Sequence, residues 1–411
     1  MTTGKFIPYG RQCIEEDDIA AVVKVLKSDY LTQGPAVESF ERDFGKAIGV
    51  EYAVSCANGT AALHLACLAA NLNPGEKHLT TPITFSADAN CARYCGADVI
   101  FGDIDLFDLT LDPKICRKIL ERQRQANRPV KTIVTVDFAG HPCRMSEFSK
   151  LKKEFNLIWI HDACHSLGAE WVDENSKTWK SGEWPDIDMT VFSFHPVKHI
   201  ATGEGGMVTT RSRKFANELK KLRTHGITKS VDEMIFPELA KEPNGSINPW
   251  YHEMQILGFN YRLSDLQAAL GSSQLQKLSR FVRERRRIAT KYVNLFKEFE
   301  GVIFQGECPN SKNSHHLVVA MIDYKKFGIT RGEVMRKLIE HGIGTQVHYI
   351  PVPLMPYYRK ISSNVEIPNA LSYYEKALSL PCFPSLMDED VEKISKTMKM
   401  VLLRKTTISE N

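Results

Sequence analysis

The sequence predicts an α/β protein with a largely parallel central sheet covered by helices, followed by a smaller α+β unit. Three observations predict it. Apolar runs and helical patterns alternate from about residue 50 to 210, the order that parallel strands joined by crossover helices require. The texture changes after residue 211, where a Pro- and Gly-rich loop gives way to long helices and one further strand. The chain has 411 residues, enough for two or three units at roughly 100–200 residues each.

Strands are predicted at YAVSC (52–56), HLTTP (78–82), ADVIFGDI (97–104), KTIVTVDF (131–138), LIWIHD (157–162), MTVFSF (189–194) and GGMVTT (205–210). TAALHLACLAANL follows the first as a helix, SADANCARYC the second, DPKICRKILERQRQ the third and MSEFSKLKKEF the fourth. FPELAKEPNGSINPW (236–250) reads as a long loop. A long helical region then runs from LSDLQAALGSSQLQKL into FVRERRRIATKYVNLF. It is followed by a strand, HHLVVAMID (315–323), and helices RGEVMRKLIEHG (331–342) and MDEDVEKISKTMKMVLLRK (387–405). The domain boundary is placed so that 1–265 form a large domain with an N-terminal arm. Residues 266–411 then form the connecting helix and a smaller C-terminal domain.

Composition narrows the function classes. Apolar residues at 43% and charged residues at 25% describe an ordinary folded chain. With 53 basic and 49 acidic side chains, the net charge of +4 is too small for a nucleic-acid or anionic-membrane binder. The arginines from Arg280 to Arg287 read as the solvated face of an amphipathic helix. The N-terminus, MTTGKFIPYGRQ, lacks the pattern of a signal peptide. The longest uncharged stretch, Tyr52 to Gly75, is interrupted by Asn58, Gly59, Thr60 and His64, which suits a strand and helix better than a membrane span. Ten cysteines without a C-x-x-C pair point to reduced thiols in the cytoplasm.

Three segments could carry chemistry. In SCANGTAALHL, Asn58, Gly59 and Thr60 open an apolar helix at the end of a strand. The turn is either an ordinary capped one or a phosphate site built from first-turn N–H groups. In LIWIHDACHSLGA, Asp162 ends a very apolar strand and needs a cationic partner. His161 and His165 are spaced i, i+4, but the segment begins as a strand, so no metal site is expected and core histidines are the alternative. In FSFHPVKHIATGEGG, Lys198 follows a hydrophobic strand. It is either a surface lysine or a partly buried one whose lowered pKa makes an amine nucleophile. Gly203, Gly205 and Gly206 lack the dinucleotide spacing.

Together the three segments match the needs of pyridoxal 5′-phosphate: a phosphate cradle, an aspartate for the pyridine nitrogen and a lysine for the Schiff base. Phe85 in TPITFSADAN would stack on the ring, and Ser193 would reach the phosphate.

ANGTAALHLA, TPITFSADANC, HDACHSLGA, FSFHPVKHIATGEGG and GFNYRLSDLQAALG, in that order, resemble the pyridoxal-phosphate sugar aminotransferases of the DegT/DnrJ/StrS family, from about residue 6 to 400. IPYGRQ, NCARYCGAD and VHYIPVP narrow the likeness to the branch that aminates carbon 4 of a UDP-linked 2-acetamido-2,6-dideoxy-4-keto sugar on the route to pseudaminic acid. The resemblance implies a fold-type I transferase, aspartate aminotransferase-like, with L-glutamate as amino donor. It implies Lys198 as Schiff-base lysine and acid/base, Asp162 on the pyridinium, Phe85 on the ring and His165 near the phenolic oxygen. Gly59, Thr60 and Ser193 would hold the phosphate, with Asn260 reaching it from the partner in a homodimer that shares its active sites. Tyr9, Arg262, His315 and Tyr349 are nominated for the nucleotide sugar. A dehydratase of the same family, usually with histidine in place of the lysine, and a non-catalytic cofactor-binding paralogue are the alternatives. Two departures stand out: Asp88, where many relatives carry a small apolar or hydroxyl residue, and EWVDENSKTWKSGEW, which is longer than expected and reads as a surface hairpin.

Overall fold

A computed structural model describes residues 6–362 and 365–404. Seven strands form the central sheet: β1 (Tyr52–Cys56), β2 (Lys77–Thr80), β3 (Asp98–Phe101), β4 (Val130–Val136), β5 (Ile158–Asp162), β6 (Met189–Ser193) and β7 (Gly206–Thr210). Their spatial order is β1-β7-β6-β5-β4-β2-β3, and β7 alone runs antiparallel to its neighbours. All seven predicted strands are present, most of them one residue shorter than the apolar run.

The strands are apolar on both faces because two layers cover them. Successive side chains of a strand point to opposite faces. Val54, Cys56, Ile160, Val191 and Val208 pack under the helices Gly59–Ala69, Ala87–Tyr94 and Arg213–Leu222. Their neighbours Ala53, Trp159, Phe192 and Met207 face the opposite layer, built by the helices Pro35–Ile48, Pro113–Gln125, Met145–Phe155 and Asp265–Gln276. Gly206 is required where β7 begins, since a Cβ there would stand 2.3 Å from the carbonyl oxygen of Asn58.

The predicted long helical region breaks at Lys277 into Asp265–Gln276 and Leu278–Phe296. The second helix shares a core with Arg331–Glu340, Asp388–Leu402 and a three-stranded antiparallel sheet of Val302–Phe304, Val318–Ile322 and Ala377–Leu380. The other face of Val318–Ile322 meets loops of the central sheet through Val319, Met321, Ile83, Phe138 and Tyr373. Among the described residues no helix is long and apolar enough to cross a membrane.

Two expectations need correction. The 170–184 segment does form a hairpin, Glu170–Val172 with Thr178–Lys180, but it is more than a surface feature. Trp171 and Trp184 are buried beside Trp159, and the Trp184 indole donates to Ser149 Oγ at 2.7 Å. The arginine stretch is not uniformly solvated. Arg280 and Arg283 face solvent, whereas Arg285 is fully buried. The guanidinium of Arg285 donates chiefly to backbone carbonyls: Cys382 at 2.9 Å, His316 at 3.1 Å, Val197 at 3.3 Å, and Lys198 and His315 at 3.4 Å, with the Cys382 sulfur at 4.0 Å. A planar fork of five donors suits this task, which ties the loop after β6 to the C-terminal layer. Replacing it strands several buried carbonyls. Arg285→Leu is expected to cost about 3 kcal/mol in urea unfolding, while Arg283→Leu stays within about 0.5 kcal/mol of the parent. Equal losses for the two variants would show that the buried guanidinium contributes nothing special.

Candidate active site

The carboxyl ends of β1, β2, β4, β5 and β6 open on one cavity of about 750 Å³, the edge at which sheets of this kind bind ligands. It collects Gly59, Thr60, Phe85, Asp162, Ser193 and Lys198 from four different chain segments. Tyr9, His165, Tyr349 and Asp88 line it as well.

One end of the cavity is built for an anion. Asn58 caps the helix Gly59–Ala69 by accepting from the Ala61 N–H at 2.8 Å, which leaves the other first-turn N–H groups without an intrahelical acceptor. A Cβ on Gly59 would stand 2.9 Å from Ser193 Cβ, so only glycine lets the helix start come so close to the end of β6. The Ser193 hydroxyl and the N-terminus of this helix thus converge, as a phosphate group requires.

The opposite end holds the titratable groups. Asp162 ends β5, in register with Val136 of β4 and Val191 of β6, and its Oδ1 accepts from the Cys164 N–H at 2.8 Å. Lys198 follows β6 in a turn closed by its own N–H to His195 O at 2.8 Å. Burial lowers its amine below the ordinary lysine value. Cys164, Asp162 and Asp88 act against that shift, and the buried Arg285 reinforces it. Phe85, 58% exposed, offers a ring to the cavity 6.4 Å from that of Tyr349.

His165 is buried with both nitrogens engaged. Nδ1 accepts from the Ala139 N–H at 3.3 Å, so in the neutral ring Nε2–H donates to Tyr349 Oη at 3.2 Å. That leaves the Tyr349 proton free for another acceptor. Burial, then the Lys198 charge, hold His165 well below the usual histidine range. His316 lies against it, ring centroids 4.3 Å apart, and is likewise held neutral by burial. His348, beside Tyr9, is pushed down to about 3 by burial. His161 takes no part in this cluster, since it lies 2.9 Å from the buried Asp137.

Three nominated residues lie elsewhere. His315 is outside the cavity, its ring 3.0 Å from Glu307, because a positive φ of 50° turns the chain there and delivers His316 inward instead. Asn260 is exposed, and Arg262 also lies outside the cavity of its own chain. His316, His348, His64 and Tyr261 line the cavity without having been singled out. The motifs HH at 315–316 and VHYIPVP contained two of them, but nothing in the spacing told an inward ring from an outward one.

The residues fit pyridoxal phosphate: a close-approach glycine beside a helix start and a serine hydroxyl for the phosphate, a carboxylate and a desolvated amine in the same cavity, and an exposed aromatic face. The comparisons agree. The model of the DegT/DnrJ/EryC1/StrS aminotransferase family matches residues 12–399. The spore coat polysaccharide biosynthesis protein SpsC of Bacillus subtilis (strain 168) is 35% identical over 401 residues, covering 97% of each chain. The UDP-4-amino-4,6-dideoxy-N-acetyl-beta-L-altrosamine transaminase of Campylobacter jejuni (strain 81-176) is 35% identical over 411 residues, covering 96% of this chain and 97% of that one. Helicobacter pylori PseC, an aminotransferase of pseudaminic acid biosynthesis, superposes with a TM-score of 0.85 at 29% identity, covering 97% and 99% of the two chains. The chain belongs to the DegT/DnrJ/EryC1/StrS aminotransferase family and is a pyridoxal-phosphate-dependent aminotransferase.

Proposed function

We propose that the enzyme transfers the amino group of L-glutamate to carbon 4 of a UDP-linked 2-acetamido-2,6-dideoxy-4-keto hexose, the amination used in pseudaminic acid biosynthesis. The near full-length likeness to the Campylobacter transaminase carries this choice of substrate, and the likeness to PseC supports it. Pyridoxal phosphate, when bound, supplies an electron sink for the carbanion formed at the substrate carbon. This chain's residues do the rest. Lys198, whose amine is shifted toward neutrality, takes and returns the proton at that carbon. Asp162 keeps the ring nitrogen protonated, and Phe85 covers one face of the ring. His165, neutral and fixed by Ala139, would face the cofactor's phenolic oxygen, and its Nε2–H holds the Tyr349 hydroxyl. Gly59, Thr60 and Ser193 receive the phosphate. Tyr9 and Tyr349 serve the sugar, and His316 takes the place first given to His315.

Asn260 and Arg262 act on the site of a second copy in this reading, in a homodimer. They follow a loop that exposes Trp250, Met254 and Leu257 (79% exposed), large apolar side chains of the kind that interfaces cover. Arg262 has no ion-pair partner among the described residues and suits the UDP diphosphate. We place the domain boundary at 265/266, with Asp265–Gln276 leading into the connecting helix, supported by the separate core formed by residues 288–402 and joined by Ile7 of the N-terminal arm. We place the enzyme in the cytoplasm, supported by ten free cysteines.

The deciding experiment supplies purified protein with glutamate and the UDP-linked 4-keto sugar. The 4-amino sugar and 2-oxoglutarate should form together, and borohydride should fix the cofactor to Lys198. In Lys198→Ala, turnover should fall about 10²–10⁴-fold. Conversion of glutamate without any amination of the sugar would keep the aminotransferase and remove this acceptor. The shared site is tested by mixing Lys198→Ala with Asn260→Asp, each impaired alone. Free exchange of subunits puts one intact site in each mixed dimer and should restore about a quarter of the parent activity. No recovery after verified exchange would confine each site to one chain.

A further inference from the structure

Asp88 is a buried acid to which the reaction as proposed gives no part. It sits in the first turn of the helix Ala87–Tyr94, has no exposed surface, and lines the same cavity as Asp162. Its Oδ2 accepts from Thr84 Oγ1 at 2.5 Å, while its Oδ1 has no donor among the described residues. The groups packed around it supply none. The His78 ring, from β2, and the Cys91 thiol, from its own helix, both bond its backbone carbonyl, at 3.0 and 3.2 Å. The charges that face it are Asp162, at the end of β5, and Lys198. An ionised Asp88 would leave one buried carboxylate oxygen bare beside a second carboxylate, an arrangement that burial makes unfavourable. A neutral acid has a proton to place, and the Asp162 carboxylate, which lines the same cavity and acts directly on Asp88, is the acceptor that the surroundings offer. Burial first, and the Asp162 charge second, drive the Asp88 carboxyl well above the usual carboxylate range, against the pull of Thr84.

We propose that Asp88 is a positioning residue: as a neutral acid it donates a hydrogen bond to Asp162, fixes that carboxylate, and weakens its pull on the proton it shares with the cofactor's ring nitrogen, so that the proton stays on the ring. The inference rests on the reading of Asp162 as the partner of that nitrogen. Thr84 accounts for one oxygen of Asp88 and the Cys164 N–H for one oxygen of Asp162. The second oxygen of Asp88 has no other partner among the described residues. The arrangement delivers one negative charge, not two, to one pyridinium.

The test compares the parent with Asp88→Asn, which keeps a donor toward Asp162, and Asp88→Ala, which does not. In cofactor-free protein at neutral pH, infrared spectra of the parent should contain the carbonyl stretch of a protonated carboxylic acid, and both variants should lack it. Cofactor affinity should stay within about threefold of the parent in Asp88→Asn and fall about tenfold or more in Asp88→Ala. The ring-nitrogen chemical shift of isotope-labelled cofactor should stay at the protonated position in Asp88→Asn and move toward the unprotonated one in Asp88→Ala. A parent without the infrared band, a band that survives Asp88→Asn, or an Asp88→Ala protein with parental affinity and shift would each overturn the proposal. If Asp88→Ala does not fold, the infrared comparison of the parent with Asp88→Asn still decides. Failure of the parent to bind pyridoxal phosphate at Lys198 would instead overturn the underlying reading, and it is seen before any Asp88 variant is compared.

Discussion

The parallel pairing of Ile158–Asp162 with Met189–Ser193 is the constraint on which the site depends. Parallel neighbours leave the sheet at the same edge, so a carboxylate that ends one strand and a lysine a few residues past the next must meet there. The register of Asp162 with Val136 and Val191 sets its depth. The antiparallel β7 closes the arrangement, since its Gly206 lies between Cys56 and Ser193 and lets the helix Gly59–Ala69 begin against the end of β6. Moving either strand by one residue would turn Asp162 or Ser193 to the opposite layer.

Water exclusion then sets the charge states. Lys198 is drawn toward its neutral form, and His165, His199, His316 and His348 are all held neutral by burial. Neutral imidazoles can be packed ring against ring without mutual repulsion, which lets His316 lie between His165 and His199 at 4.3 and 5.8 Å. The buried Arg285 has no carboxylate of its own and is held by carbonyl oxygens, including that of Lys198. It joins the loop carrying the lysine to the layer carrying His316 and Cys382. Packing of the C-terminal layer and the electrostatics of the amine are therefore linked through one side chain.

Much of this was legible in the residues. The strands could be read because their both-sided burial leaves unbroken apolar runs, and the helices because their periodicity persists between those runs. Lys198, Asp162 and Gly59 could be singled out because each places a costly or permissive residue just beyond a strand. Arg285 could not, because a helix with six ionisable residues from Arg280 to Arg287 looks solvated unless the partner layer is known. The hairpin at 170–184 misled for a similar reason: polar turn residues were visible, but the cavity that receives Trp171 and Trp184 was not.

The sequence by itself determined the order of strands and helices, the glycine that opens the helix Gly59–Ala69 beside a strand end, and the placing of Lys198 and Asp162 at the ends of strands. These depend on local preferences and on the side-chain types at strand ends, which act over a few residues. Tertiary structure alone decided which of two adjacent histidines, His315 or His316, faces the cavity, since one positive φ sets that direction. It also decided that Asp88 and Asp162, 74 positions apart, share one desolvated corner. Such pairings arise from the crossing of separate elements, and no local pattern in the chain encodes the distance between them.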